Sequence, residues 1–456
     1  MKYLRYIFSV AMVCLCHAVS ATQVQSEIPV IRLQYSALDK DTFSAASFVF
    51  ISNADTTAMP ALIRHRGASS TKYQKKSYAV KLLDEAGEKK DASFMGMRSD
   101  NYWILDAMAV DKGRMRTRVA MDLWLDFSAK PSYVSAEPDM CNGARGKFVE
   151  VYVNDAYEGL YCLMERVDRK QLKLKKAKNT TINGVLYKSA TWDGSLFGPL
   201  TPYDNHSATW MRYEYEYPDV EDNLITWAPL YDVMDFVNTA SAADFAAQVS
   251  SRVDVPVWMD YFLFTNLLSA RDNCGKNLYL SFYNINQTSP LLVTPWDMDH
   301  SFGRMYNADK EDPQAVCKWS NALYNRLASD LPDYYTQLLE RYAELRHTFF
   351  SLEELMQRFS DYFALFNATH VAERETERWS GVNDVSLDFS AEETYIASWL
   401  EQRLAYTDSL FHYTSEESAV EQLSVPCSAS KQFRDGRFII IRDTKAYTLT
   451  GQEIQP

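Results

Sequence analysis

Residues 270–277 read ARDNCGKN, and residues 296–303 read WDMDHSFG. In the first stretch Asn277 follows Asp272 by five positions, and in the second Asp297 and Asp299 precede a Phe-Gly pair. Phosphoryl transfer needs a carboxylate near the acceptor hydroxyl and oxygen ligands for a divalent metal ion. These residue types suit that chemistry, although turn aspartates and helix caps have the same composition and are frequent.

The order of these stretches matches that of protein kinases in part. Kinases place a catalytic Asp and a metal-binding Asn at the first spacing, and follow them with an Asp-Phe-Gly triplet. Here Ala270 stands where kinases have His, and two residues separate Asp299 from Phe302. The match therefore needs support from other parts of the chain.

Short strands predicted at 278–283 and 291–293 place both stretches at strand edges. Two carboxylates two residues apart on one strand share a face, so we expect Asp297 and Asp299 to reach one metal site. His300 could serve as a ligand or a base. Because the chain has only 7 histidines and no H-x-x-x-H pattern, we expect a polar loop residue there instead.

The first 21 residues have the pattern of a signal peptide. A basic start and an apolar run over 6–15 lead to a small-residue cleavage site before Thr22. The apolar run is too short to span a membrane, and no other segment approaches the required length. We therefore expect an exported protein of the periplasm or cell surface, with no transmembrane segment in the mature chain.

Charge and cysteine content exclude two classes of protein. The 456-residue chain has a formal net charge of −13, which argues against a nucleic-acid binder. Five cysteines remain after the predicted cleavage, too few and too scattered for a disulfide scaffold or a zinc site. Cys141 and Cys162 are the pair we expect first to form a disulfide.

Hydrophobic periodicity predicts an α+β protein with strands first and helices later. Strands are expected within 28–85, a helix over 111–127, a hairpin over 147–164 and the start of a basic helix at 166–178. Helices are expected at 226–270 and from 333 to about 410, and two strands near the C-terminus at 437–442 and 446–449. The predicted divisions are a signal peptide (1–21), an N-terminal β-rich lobe (22–178), an irregular insertion (179–225), a catalytic and helical C-terminal lobe (226–423) and a β-hairpin tail (424–456).

Residues 64–71, RHRGASST, form a polar loop that is followed by several lysines. Glycine and small hydroxyl residues let backbone N–H groups approach a phosphate, and nearby lysines supply positive charge. An ordinary solvated turn has the same composition. A glutamate that orients such a lysine is found in kinases, and the residues alone do not decide between Glu158 and Glu165 for this role.

Taken in order, these blocks resemble the CotH family, the spore-coat-protein-H-like atypical protein kinases. The resemblance rests first on RGASS (66–70), followed by KKSY (75–78) and Lys81. It rests next on Gly159-Leu160-Tyr161 with ERVD (165–168), and then on the two stretches at 270–277 and 296–303. It extends through 340–346, 378–379 and 399–404, and so covers roughly residues 28–415. Ala68 departs from the family, which prefers Asn at that position.

The resemblance implies a divergent protein-kinase-like fold and ATP-dependent phosphorylation of protein Ser or Thr with Mg²⁺ or Mn²⁺. Asp272 would be the catalytic base, and the metal ligands would be Asn277, Asp297 and Asp299. Candidates for ATP phosphate binding or its orientation are Arg66, Lys76, Lys81 and Glu165. Lys81 is the preferred strand lysine, because Tyr78 and Val80 place it on the strand face opposite the core.

A second class of function remains open, a non-catalytic adhesin or a protein- or glycan-binding module on the same fold. The aromatic residues of 192–217 would then form a contact surface: Trp192, Trp210, Tyr213, Tyr215 and Tyr217. The tail after 424 resembles C-terminal elements of exported proteins of Bacteroidetes-type bacteria. It could serve in sorting or be a hairpin that docks on the domain.

Overall fold

The structure, a computed structural model, describes residues 28–39, 41–53, 55–67, 69–192, 196–220, 223–316 and 321–414, and the backbone of four strands between 429 and 454. The predicted signal peptide, Ala68, Cys317 and Cys427 lie outside these residues. The chain divides into two compact units. The first takes its described residues from Met1–Ala109, Gly146–Glu165 and Asp361–Phe389, and the second from Val110–Arg145, Arg166–Ser360 and Ser390–Pro456.

A closed seven-stranded barrel forms the first unit. The strands run in the order β1-β2-β3-β4-β5-β7-β6, and β6 closes the barrel by pairing in parallel with β1. Their bounds are β1 Val30–Gln34, β2 Ser44–Ile51, β3 Thr56–Arg66, β4 Ser77–Leu82, β5 Tyr102–Asp106, β6 Gly146–Val153 and β7 Ala156–Met164. The strands predicted within 28–85 are therefore confirmed.

Alternating apolar residues fill this barrel, because side chains two apart on a strand share a face. In β4 the buried positions include Tyr78, Val80 and Leu82, while Lys81 stays partly exposed. The predicted hairpin is confirmed as β6 and β7. Its turn residues Asn154 and Asp155 have φ of 48° and 66°, as a two-residue turn with two left-handed positions requires.

Helices cover one outer face of the barrel. The end of α7 (Leu352–Ala368) packs against β6, where the ring of Phe366 lies 4.9 Å from that of Phe148. In α8 (Val371–Trp379) Glu375 is fully buried and forms a 2.6 Å ion pair with Lys75. Both charged groups also bond the backbone of Leu160, so the pair attaches α8 to β7.

The second unit combines a five-stranded sheet with most of the helices. The sheet order is β12-β11-β8-β10-β9, with β8 Val185–Ser189, β9 Thr209–Trp210, β10 Tyr213–Tyr217, β11 Leu278–Phe282 and β12 Leu292–Pro295. The helices are α1 Arg116–Phe127, α2 Ala228–Thr239, α3 Ala242–Arg252, α4 Val255–Leu268, α5 Ala322–Asp330, α6 Tyr334–Arg346 and α9 Phe389–Leu410. Every residue of helix α4 except Pro256 is buried, and its composition is accordingly almost entirely apolar.

Near the C-terminus four strands pair antiparallel in the order β13-β14-β15-β16. They are β13 Ala429–Arg434, β14 Arg437–Arg442, β15 Lys445–Thr448 and β16 Glu453–Ile454. The two strands predicted in this region are confirmed as β14 and β15, and the structure adds one on each side. None of the described helices combines the length and the apolar character that a membrane span demands.

Three local expectations are wrong. Residues 166–178 form turns, in which Asp168 Oδ1 accepts a 2.9 Å hydrogen bond from the Gln171 N–H and Lys173 has a φ of 52°. The insertion predicted as irregular contains β8 to β10. In β10, YEYEY alternates aromatic and acidic residues, a period of two that indicates a strand. Cys141 and Cys162 form no disulfide.

Candidate active site

Asp272 and Asn277 lie in the loop between α4 and β11. Helix α4 ends where Ser269 takes a left-handed conformation, with a φ of 50°. A single 3-10 turn, Arg271–Cys274, then carries Asp272, whose carbonyl accepts a 2.9 Å hydrogen bond from the Lys276 N–H. Asn277, also left-handed, is the last residue before β11. We call residues 271–277 the first loop.

Asp297 and Asp299 lie in the loop after β12, which we call the second loop (296–303). The β11–β12 ladder ends at the pair Leu278–Pro295, and Asp297 has a φ of 54°. Aspartate tolerates this left-handed conformation, which a strand excludes. The expectation that both acids share one strand face is therefore wrong. Asp297 is exposed and Asp299 is partly buried.

Asn273 joins the two loops. Its fully buried side-chain amide donates to the carbonyl of Asn277 at 2.9 Å and to the carbonyl of Trp296 at 2.7 Å. The Trp296 N–H in turn donates to the Asn277 carbonyl at 3.1 Å. The structure thus brings the loop of Asp272 and Asn277 beside the loop of Asp297 and Asp299. Sequence reasoning missed Asn273, although its place directly after Asp272 was a usable signal.

A buried ionic chain also connects the loops. His300 Nδ1 lies 3.6 Å from Asp272 Oδ1, an ion-pair contact too long for a hydrogen bond, and His300 Nε2 lies 3.0 Å from Glu311 Oε2. Glu311 also accepts from Arg271 Nε at 3.1 Å, and Lys276 Nζ lies 3.5 Å from Asp272 Oδ2. His300 is only 3% exposed. The expectation of an ordinary polar loop residue is therefore wrong.

The ionic chain decides the charge of its members. Burial lowers the pKa of His300, but the carboxylates of Asp272 and Glu311 outweigh burial and raise it to about 9. Burial raises the pKa of Asp272, yet His300 and Lys276 bring it below its usual value. The pKa of Glu311 is lowered in the same way by His300 and Arg271, against the effect of burial. At neutral pH the cluster therefore holds an ionised Asp272 beside an imidazolium.

Arg116 of α1 anchors the second loop through hydrogen bonds to its backbone. Its guanidinium donates to the carbonyls of Ser301 and Phe302 at 3.1 and 3.2 Å, and it pairs with Asp111 and Glu392. All of the side chains of this ion cluster are buried, so the loop has little freedom to move.

Gly303 explains the Phe-Gly pair of the motif. It has a φ of 84°, and a Cβ at this position would lie 2.7 Å from the ring of Trp399. Only glycine avoids both the conformational strain and the collision. The Phe302 side chain is fully buried against Phe359, with ring centroids 4.8 Å apart. The pair therefore seats the second loop on the helices of this unit.

The four candidates for phosphate binding lie in the first unit. Lys81 Nζ lies over the rings of Phe43 and Tyr102, at 4.1 and 5.4 Å, and within the described residues no carboxylate is at ion-pair distance from it. Lys76 Nζ donates to the Thr71 carbonyl at 2.6 Å, within the polar loop itself. Arg66 is the last residue of β3.

Glu165 is buried, and its Oε1 accepts a 2.8 Å hydrogen bond from the Arg98 N–H. A lysine–glutamate pair of the kind that orients a nucleotide does not form with Lys81. A fully buried lysine–glutamate pair among the described residues of this unit joins Lys75 to Glu375 instead, as described above. Sequence reasoning missed it because its partners are 300 residues apart.

The residues present have the chemistry to hold a hard divalent cation. Within the residues that the structure describes, no group of three or more His, Cys, Asp and Glu side chains is placed to hold a metal ion. The proposed ligands instead pair an amide with two carboxylates. The side-chain amide of Asn277 has no hydrogen bond to any described residue, which leaves its oxygen able to bind an ion. An all-oxygen set of this kind suits Mg²⁺ or Mn²⁺.

A protein-family model described as CotH kinase protein matches residues 63–407. The matched range includes both loops and every candidate residue of the first unit. No curated protein matches the chain.

Proposed function

The chain belongs to the CotH kinase protein family, and from this premise we propose that it transfers the γ-phosphate of ATP to a Ser or Thr hydroxyl of a protein. The arrangement that best supports the proposal is the joining of the two loops by Asn273 and His300. The loop of Asp272 and Asn277 lies beside the loop of Asp297 and Asp299. A catalytic Asp with an Asn and an Asp as metal ligands is the set that kinases use for phosphoryl transfer, which supports the proposal.

Asp272 is the group that receives the acceptor hydroxyl. An ionised carboxylate accepts a hydrogen bond from the hydroxyl and orients its oxygen for in-line attack on the phosphorus. The pKa of Asp272 lies below its usual value, so this acceptor is charged at neutral pH. The interaction with His300 and Lys276 holds the carboxylate in place while the proton is accepted.

Asn277, Asp297 and Asp299 would hold the divalent ion, which when bound supplies positive charge against the phosphate oxygens. Arg66, Lys76 and Lys81 are our candidates for phosphate binding, with Glu165 as an orienting residue. Lys81 Nζ lies over two aromatic rings and has no described carboxylate at ion-pair distance, which suits an anion ligand.

Two further parts of the proposal rest on the family and on the leader-like N-terminus. The barrel-containing first unit and the helical second unit together would represent a divergent protein-kinase-like fold. The protein would be exported, to the periplasm or the cell surface.

The test is transfer of ³²P from ATP, with Mg²⁺ or Mn²⁺, by wild type and Asp272→Asn. We expect the variant to lose at least about 100-fold in rate, the contribution of a positioned acid–base group. Asp232→Asn, an exposed acid on α2, is the matched control and should keep full activity. Chelation of the metal by EDTA should stop transfer. Equal incorporation by Asp272→Asn and wild type would remove Asp272 from the mechanism.

The alternative of a binding module loses most of its predicted surface. Trp210, Tyr213 and Tyr215 are at most 5% exposed, and they pack in the aromatic core around Trp227. Calorimetry with ATP, with and without Mg²⁺, separates the two functions. A kinase binds the nucleotide in a metal-dependent manner, whereas absence of binding would favour the non-catalytic module.

A further inference from the structure

Trp192 is the one tryptophan that the structure describes as exposed, with 53% of its surface in solvent. It follows β8 by three residues and makes no ring stacking or cation–π contact within the described residues. Large aromatic side chains that stay exposed beside a functional loop are typical of contact sites for a partner.

The position of Trp192 is tied to the first loop by the residues around it. A Cβ on Gly275 would lie 3.3 Å from the Trp192 ring, so the ring covers this glycine. The Ser189 hydroxyl donates to the Gly275 carbonyl at 2.7 Å, and the Ser189 carbonyl accepts from the Asn277 N–H at 3.0 Å. The Ala190 N–H donates to the Arg212 carbonyl at 3.0 Å.

Arg212 supports the same contact from the buried side. It is 2% exposed, and its Nη1 donates to the Gly275 carbonyl at 2.8 Å. The segment that carries Trp192 and the turn that carries Asp272 are therefore joined by several hydrogen bonds. Movement of one relative to the other would break them.

From this geometry we infer that Trp192 contacts the acceptor polypeptide and selects for an apolar or aromatic side chain close to the phosphorylated Ser or Thr. The inference rests on the proposed kinase function and adds the class of acceptor sequence. Trp192 would act as a specificity residue and would not take part in the chemical step.

The spacing between hydroxyl and apolar residue follows from the turn. Gly275 lies three residues after Asp272, directly after the 3-10 turn Arg271–Cys274, and such a turn rises roughly 2 Å per residue. Allowing for the side chains, the two contact points are roughly 6–12 Å apart. An extended peptide advances about 3.3 Å per residue. The selected side chain therefore lies about two to four residues from the acceptor hydroxyl.

Charge narrows the choice of that side chain. The exposed indole of Trp192 offers a neutral, apolar surface. A Lys or Arg side chain would lose hydration of its charge by lying on this ring, although an isolated tryptophan can bind a cation. We therefore expect Phe, Trp, Leu or Ile to be favoured over Lys and Arg.

A positional peptide array tests this selection. The purified protein, γ-³²P-ATP and Mg²⁺ are applied to Ser and Thr peptides in which each flanking position is fixed in turn as every amino acid. Wild type should favour apolar residues about tenfold at one position two to four residues from the acceptor, a factor within reach of one aromatic contact. Trp192→Ala should abolish the preference, and Trp192→Phe should retain most of it.

Tyr335→Ala, which removes an exposed aromatic side chain of α6, is the matched control and should leave the preference unchanged. With the favoured peptide, the loss in Trp192→Ala should appear as a raised KM, because the substitution affects peptide binding. A preference that survives in Trp192→Ala, or a wild type without any apolar preference at these positions, overturns the inference while the kinase function stands. Absence of both ATP binding and transfer in wild type overturns the proposed function and this inference with it.

Discussion

Raising the pH through the titration of His300 is expected to destabilise the second unit. The imidazolium lies between the carboxylates of Asp272 and Glu311, and its pKa of about 9 exceeds the ordinary value of 6.5. A raised pKa means that the folded protein binds this proton more tightly than the unfolded chain does. The stabilisation is therefore complete below pH 6.5 and is lost as the pH rises through about 9.

The size of the effect follows from the pKa of His300. A rise from 6.5 to about 9 corresponds to about 3 kcal/mol, at 1.36 kcal/mol for each pKa unit. His300 is almost completely buried, so solvent screening removes little of this figure. The two carboxylates have lowered pKa values, so their own contribution is present above pH 4.5 and is lost as the pH falls. Stabilisation by the cluster is greatest between about pH 4.5 and 6.5.

The assay is urea denaturation of wild type and His300→Gln at pH 6 and at pH 10, with a probe of the second unit. Glutamine keeps a hydrogen-bonding side chain of similar size but cannot carry the charge. The difference in unfolding free energy between the two proteins should be larger at pH 6 by about 3 kcal/mol. His206→Gln, which replaces an exposed histidine of the same unit, should differ from wild type by the same small amount at both pH values.

A wild type–His300→Gln difference that does not change between pH 6 and pH 10 would refute the reasoning. So would an NMR titration in which His300 loses its proton near pH 6.5. Either result would mean that the ionic chain does not hold the imidazolium in solution.

Two more substitutions test the packing of each unit. Lys75→Met removes the ion-pair partner of the buried Glu375 and should lower the unfolding free energy of the first unit by about 3–5 kcal/mol in urea denaturation. The double variant with Glu375→Leu should recover most of this loss. An unchanged urea midpoint in Lys75→Met would contradict the reasoning. Asn273→Ala removes the hydrogen bonds to the carbonyls of Asn277 and Trp296 and should lower the unfolding free energy by about 1–3 kcal/mol. It should also lower the rate of ³²P transfer more than Asp232→Asn does. An unchanged rate would show that the two loops keep their positions without Asn273.

Local pattern predicted most of the elements correctly. Alternating residues identified the barrel strands within 28–85 and 147–164, and Asn154-Asp155 identified the turn of the hairpin, because these signals depend on neighbours along the chain. The short strand β5 was not predicted. The prediction of a helix at 166–178 failed because Asp168 closes a turn there. The segment also bonds residues distant in sequence, since the Leu172 carbonyl accepts from the Tyr133 hydroxyl and the Lys175 N–H donates to the Tyr283 carbonyl. Basic composition alone does not report such contacts.

For the candidate site, the sequence predicted which residues carry the chemistry but not which residues surround them. Asp272, Asn277, Asp297 and Asp299 could be chosen from spacing and from the family resemblance. Glu311 could not, because it acts through a contact with His300 that exists only in the fold. Asn273 stands directly after Asp272 in the sequence, but its bonds to the carbonyls of Asn277 and Trp296 also form only in the fold. The aromatic composition of segment 192–217 suited a contact surface. In the fold, however, Trp210, Tyr213 and Tyr215 are buried, and only Trp192 and Tyr217 reach solvent.

The order of motifs along the chain, by itself, determined the family and the residues that carry charge or oxygen ligands, since these depend on identity and spacing alone. The closure of a seven-stranded barrel by β6 on β1, the return of α8 to that barrel and the burial of His300 between two carboxylates were decided only by the tertiary structure. Each of these features joins residues distant in sequence or depends on the exclusion of water. Contacts between distant residues and exclusion of water leave no pattern among neighbouring residues, so the sequence did not predict them.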